Sequence, residues 1–256
     1  MSEPAPAPEK LAESSLLSHL LELRDRLMKA MVATLVIAVP CLYFANDIFT
    51  WLSAPLRAQL PAGASLIATS VVAPFMTPFK LALFAATFFA MPVILYQVWA
   101  FVAPGLYRHE RRFALPLFIS SVVLFYAGSA FSYFLVFPAI FRFFVMTTPV
   151  GVQLMTDMTQ YMDFAVLLFF AFGLAFEIPV ATVLLVRTGL VKLETLTKNR
   201  GYVLLGIFII AAFLTPPDAV SQTMMAVPMY ALYEIGVVMS RLLAPARSPG
   251  PDSDPA

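Results

Sequence analysis

Charge is what this 256-residue chain has least of. Lys, Arg, Asp and Glu together make up 12% of it, about half the share of an average globular protein. So few charges cannot cover a water-exposed surface, which excludes a soluble domain. Histidine is nearly absent as well: His19 and His109 are the only two, and both lie outside the apolar segments. An intramembrane serine or zinc protease therefore has no histidine to use. No H-E-x-x-H, P-loop, nucleophile-elbow or glycine-rich dinucleotide pattern occurs. The single cysteine, Cys41, excludes a disulfide framework and a thiolate metal site. No catalytic residue, metal or cofactor is expected, and the chain does not read as an enzyme. The net charge of +1 identifies no partner, and no nucleic acid is expected.

What the chain has is apolar length. Hydrophobic residues make up 61% of it, and the mean hydropathy is +0.85. Charges punctuate six apolar runs: 17 residues between Lys29 and Asp47, 27 between Lys80 and Arg108, 29 between Arg112 and Arg142, 23 between Asp163 and Arg187 broken only by Glu177, 17 between Arg200 and Asp218, and 22 between Asp218 and Arg241 broken only by Glu234. A bilayer core about 30 Å thick needs about 20 apolar residues per helix. The pattern predicts an all-α integral membrane protein with six transmembrane helices, at about residues 28–46, 76–104, 113–140, 164–186, 201–215 and 219–240. The fifth and sixth are joined by the turn Thr215–Asp218 and are expected to be short. Together they form one membrane domain, residues 15–243, between polar, disordered cytoplasmic tails at 1–14 and 244–256. Pro92, Pro116, Pro138, Pro179 and Pro228 predict kinks.

Six spans put both termini on one side. Thirteen of the sixteen Lys and Arg residues fall on that side; only Arg57, Lys80 and Arg142 fall on the other. The positive-inside rule makes the termini cytoplasmic. The outer loops, about 47–79 and 142–162, are apolar and proline-bearing and read as packed caps. Ser15–Leu27 is amphipathic: Leu16, Leu20, Leu23 and Leu27 share one face, and His19, Glu22 and Arg26 another.

The acids carry the functional reading. Glu22 has an ordinary role available, an i,i+4 pair with Arg26, and Glu110 can be a solvated loop residue among Arg108, Arg111 and Arg112. Yet both sit on the cytoplasmic face, where two carboxylates can grip a cationic peptide. Guanidinium fits best, because its fork makes two parallel hydrogen bonds to a carboxylate. Glu177 lies ten residues before Arg187, at a depth where charge is costly and functional by default. It also supports a different reading, a proton-coupled small-solute transporter. Thr215 and Gln222 are polar groups on the last two helices, able to bond each other or a partner helix.

Several long motifs converge on one family. "HLLELRDRL", "APLRAQLP", "YQVWAFVAPGLYRHERR", "AFGLAFEIPVA" and "LTPPDAVSQTMMAVPMYALYEIG" resemble the TatC family, the core subunit of the twin-arginine protein translocase, over about residues 15–243. The resemblance implies a cupped fold in the inner membrane and the binding of twin-arginine signal peptides. It also implies assembly with the single-span partners TatA and TatB into a multimer that exports folded proteins on the proton-motive force. It places signal-peptide binding at Glu22, Arg24, Phe101 and Glu110. It puts Glu177 in a concave membrane-facing wall and partner-helix docking at Thr215 and Gln222, and it ties Pro55 and Asp218 to function.

Overall fold

The computed structural model describes residues 8–58, 66–102, 111–149, 152, 155–215 and 218–243. Among them the chain is almost entirely helical. Helix α1 (Pro8–Tyr43) is followed by α2 (Ala45–Arg57), α3 (Ala73–Val102) and α4 (Arg111–Phe131). A π-helical turn, Ser132–Val136, joins α4 to α5 (Phe137–Thr147). Then come α6 (Met158–Ala175), α7 (Ile178–Arg187), α8 (Leu193–Lys198), α9 (Arg200–Leu214) and α10 (Ala219–Leu243). Five stretches are long and apolar enough to cross a bilayer: 18–43, 73–101, 115–147, 158–187 and 219–243. Helix α9, with 15 residues, covers about 22 Å and falls short of a full hydrocarbon core. Helix α10 is longer than the charge spacing suggests, 25 residues, because the helix runs on through Arg241 to Leu243.

The amphipathic segment before the first span is not a separate element. It is the first half of α1, since nothing in 8–43 breaks the helix before Tyr43. Helix α1 packs along α3, α4 along α6, and α10 against α7 and α9. The core between them is aromatic: Phe125, Phe137 and Phe172 are fully buried, and Phe88, Tyr133 and Phe169 pack around them.

Two crossings depend on glycine. A Cβ on Gly128 of α4 would press into the Phe172 carbonyl oxygen and come within 2.8 Å of the Phe176 ring. A Cβ on Gly236 of α10 would come within 2.9 Å of Pro179 Cα in α7. Small residues let backbones approach where no hydrophobic effect drives helices together.

Prolines inside two of the helices free carbonyls for other partners. A proline removes the N–H that would bond the carbonyl four residues earlier. Pro55 thus frees the Trp51 carbonyl, and Tyr133 donates its hydroxyl to that oxygen at 3.0 Å. Pro92 frees the Phe88 carbonyl, and Tyr126 donates to it at 3.2 Å. Both tyrosines come from the third span, Tyr126 from α4 and Tyr133 from the π-helical turn. The Tyr133 ring also stacks on Trp51, with centroids 4.5 Å apart and 7° between planes. One residue on, Tyr161 of α6 donates to the Leu52 carbonyl at 3.0 Å. Helix α2, inside the loop read as a packed cap, is pinned to two spans through carbonyls.

The same end of the bundle has a second clasp. Ile67 pairs with Asp157 in an isolated parallel bridge. The Asp157 carboxylate accepts the Thr159 and Gln160 N–H groups, both at 2.9 Å, as the N-cap of α6. Its other oxygen accepts the Thr69 hydroxyl at 2.6 Å and the Thr69 N–H at 3.2 Å. These bonds to the ionised form, led by the Thr69 hydroxyl, lower its pKa from 3.8 to about 2. A group with a depressed folded pKa stabilises fully above its unfolded value and loses that contribution as pH falls through the folded one. Asp157→Asn is therefore expected to lower the thermal midpoint by a nearly constant amount above about pH 4 and by progressively less as pH falls toward 2. Thermal melts of both proteins between pH 2 and 7 check this.

Candidate functional site

The sequence-predicted site residues fall into three groups. The first lies in the first half of α1 and at the end of α3. His19 and Glu22, one turn apart, share a face of α1. The His19 ring stacks on Phe101 of α3, with centroids 4.4 Å apart and planes at 25°, so this face of α1 is turned toward the end of the second span. Arg26 donates Nε at 3.0 Å and Nη2 at 2.5 Å to the same Glu22 oxygen, Oε1. The i,i+4 pair is therefore made. It leaves Oε2 without a hydrogen bond among the described residues, on a side chain that is 36% exposed. Arg24 is not brought to this place. It lies about 200° around the helix from Glu22, is 69% exposed, and pairs with Asp25 at 2.9 Å. Glu110 lies outside the described residues.

The second group surrounds Glu177, in the break between α6 and α7, where Pro179 follows at the second position of α7. Glu177 does not cap α7 with its side chain. Its carboxyl faces Ser121 of α4, whose hydroxyl accepts the Trp99 indole N–H at 3.1 Å. Oε1 is buried with no hydrogen-bond partner. Side chains of α3, α4 and the α6–α7 break thus meet around one buried carboxyl oxygen.

The third group joins α9 and α10. Thr215 bonds back to the Ala211 carbonyl at 2.9 Å, and Gln222 donates across to the Phe208 carbonyl at 3.3 Å. They do not bond each other. Asp218 accepts the Ser221 N–H at 2.7 Å and so caps the first turn of α10. At the far end of the same helix pair, Arg200 meets Glu234 at 2.8 Å, and Tyr230 donates to the other Glu234 oxygen at 2.9 Å. Glu234 thus clamps α9 to α10. Lys80 pairs with Asp163 at 2.5 Å.

The family model described as Sec-independent protein translocase protein (TatC) matches residues 18–228, most of the chain. The chain belongs to the TatC family. The TatC of Azotobacter chroococcum is 54% identical over 248 residues, 95% of this chain and 97% of that one. The TatC of Escherichia coli K12 is 54% identical over 226 residues, 88% of each. A crystal structure described as the twin-arginine translocase receptor TatC superposes with a TM-score of 0.79 at 36% identity, covering 88% of this chain and 98% of that one. The TatC fold is thus the fold of this multi-pass membrane protein, and the protein is a core subunit of a Sec-independent protein translocase. TatC is a transport component and not a catalytic class.

Three structural roles were not read from the sequence. Asp157 was signalled by "DMTQ", an Asp followed three residues later by Gln before an apolar run, which is a capping signature. The donor roles of Tyr126 and Tyr133 had no local signal, because each hydroxyl serves a carbonyl on another helix. The Arg200–Glu234 clamp joins residues 34 apart, beyond any helical spacing.

Proposed function

We propose that this chain is the receptor for twin-arginine signal peptides. In this reading the termini are cytoplasmic, and residues 15–243 act as one membrane domain. The observation that carries it is the geometry of Glu22. Arg26 orients the carboxylate through one oxygen and leaves the other toward water, on the face of α1 that stacks against Phe101. An incoming guanidinium can add two hydrogen bonds there without first breaking a bidentate internal pair. Glu110 supplies the second acid. Arg24, turned the other way and paired with Asp25, contributes positive charge at this end and does not touch the peptide at Glu22.

The remaining family assignments follow the same course. Glu177 faces the apolar part of the peptide or a partner helix from the wall of the cup. TatA and TatB dock along α9 and α10 near Thr215 and Gln222. Asp218 sets the start of α10, Pro55 sets α2, and the complex exports folded cargo on the proton-motive force.

Site-specific cross-linking of a twin-arginine peptide in native membranes tests the receptor reading. Glu22→Ala removes a charge-assisted contact worth about 1.5–3 kcal/mol, so affinity should fall about ten- to a hundredfold. A Lys-Lys peptide should bind more weakly than Arg-Arg, since lysine cannot form the fork. Undiminished, arginine-dependent cross-linking in both Glu22→Ala and Glu110→Ala would remove this site from the proposal.

A further inference from the structure

At the capped end, α2, α3 and α6 enclose an aromatic groove of about 540 Å³, within the range of small-ligand sites. It is bounded by Trp51 and Leu52 of α2, by α3 from Leu81 to Phe89, and by Phe169 and Phe170 of α6. Phe44, Trp51 and Phe89, on its rim, are each more than half exposed, so the groove opens sideways into the hydrocarbon. The stretch from Leu81 to Phe89 measures about 12 Å along the helix, most of the roughly 15 Å depth of one leaflet's hydrocarbon.

One lining residue is charged. Asp47, in the first turn of α2, is exposed and forms no ion pair among the described residues. The other lining residues are apolar or aromatic. An unpaired carboxylate at the mouth of an apolar slot repels an anionic headgroup and attracts an ammonium.

We infer that this groove holds one acyl chain of an ethanolamine phospholipid, with its primary ammonium, which unlike the choline group has N–H donors for a carboxylate, at Asp47. The chain lies along Phe84 and Phe88, and the Trp51 ring covers it from the α2 side. The site selects zwitterionic lipid over anionic lipid through a single charge.

Trp51 supplies its own probe. The chain has two tryptophans, and Trp99→Phe leaves Trp51 as the sole emitter. The full-length Trp99→Phe protein is reconstituted in phosphatidylcholine with a minor fraction of either phosphatidylethanolamine or phosphatidylglycerol brominated on its acyl chains. Brominated phosphatidylethanolamine should quench Trp51 at severalfold lower mole fraction than brominated phosphatidylglycerol. Asp47→Asn should abolish that preference while leaving quenching by both. Ala85→Phe, which fills the slot from α3, should reduce quenching by both. Equal quenching by the two lipids, or a preference that survives Asp47→Asn, overturns the inference. So does quenching relieved by an apolar signal-peptide segment without any lipid selectivity, which would make the groove a peptide site.

Discussion

Replacing Gly128 by leucine is expected to leave almost no folded protein in the membrane. The position admits no Cβ: its nearest neighbours are the Phe172 backbone oxygen and the Phe176 ring, the latter at 2.8 Å. A flexible side chain can swing aside, but a backbone carbonyl within α6 cannot. Relief requires α4 and α6 to separate. That would pull apart Phe125 and Gly173, whose own Cβ position lies 2.5 Å from the Phe125 ring, and lengthen the Ser129 contact to the Phe169 carbonyl at 3.4 Å. Overpacking a tight site costs about 1–3 kcal/mol, and loss of the surrounding aromatic core adds to it. Total stabilities are only about 5–15 kcal/mol. Membrane-fraction immunoblots and thermal midpoints in detergent measure the effect. The matched control is Gly206→Leu, on α9, where nothing lies within 4 Å of the added Cβ; its yield should stay close to that of the unaltered protein. Comparable yields for the two variants would mean that the α4–α6 crossing is not close-packed at Gly128.

Tyr133→Phe should destabilise the protein, and Pro55→Ala should remove most of that cost. The phenylalanine keeps the ring that stacks on Trp51 and loses only the hydroxyl that serves the Trp51 carbonyl. An acceptor left without a donor costs about 1–3 kcal/mol. Alanine at position 55 restores the N–H that proline lacks, so the helix can bond its own carbonyl. The Tyr133 hydroxyl then becomes dispensable. Tyr126→Phe with Pro92→Ala should repeat the pattern at the Phe88 carbonyl. The quantity to measure is the coupling in a double-mutant cycle of unfolding midpoints. An equal cost of Tyr133→Phe with proline or alanine at 55 would show that the orphaned carbonyl is not what the tyrosine serves.

These two cases mark where sequence reading stops. Pro92 is visible in the sequence as a kink within a span, and Pro55 only as part of a proline-bearing outer loop. Which group takes over each freed carbonyl was not visible, because Tyr133 is 82 residues from Trp51 and Tyr126 is 38 from Phe88. The pair Glu22–Arg26 was legible because i,i+4 spacing is a local rule. The turning of that face toward Phe101 was not, since α1 and α3 meet only once the bundle packs. Glu177 was legible as a costly intramembrane acid. Its placement at a helix break, facing Ser121 and Trp99, was not.

By itself the sequence determined the class of the protein. Its hydropathy and the spacing of its charges settle that it crosses a membrane several times as helices, because helices satisfy their backbone hydrogen bonds within the segment and need no partner. Its motifs carry the family. The tertiary structure decided everything that joins one helix to another: the glycine-dependent crossings, the tyrosine-capped carbonyls, the Asp157 clasp, the Arg200–Glu234 clamp and the groove beneath α2. In lipid the hydrophobic effect does not bring helices together, so their arrangement rests on close packing and single hydrogen bonds between residues far apart in the chain. Those contacts leave no periodic trace in the sequence and exist only in the folded bundle.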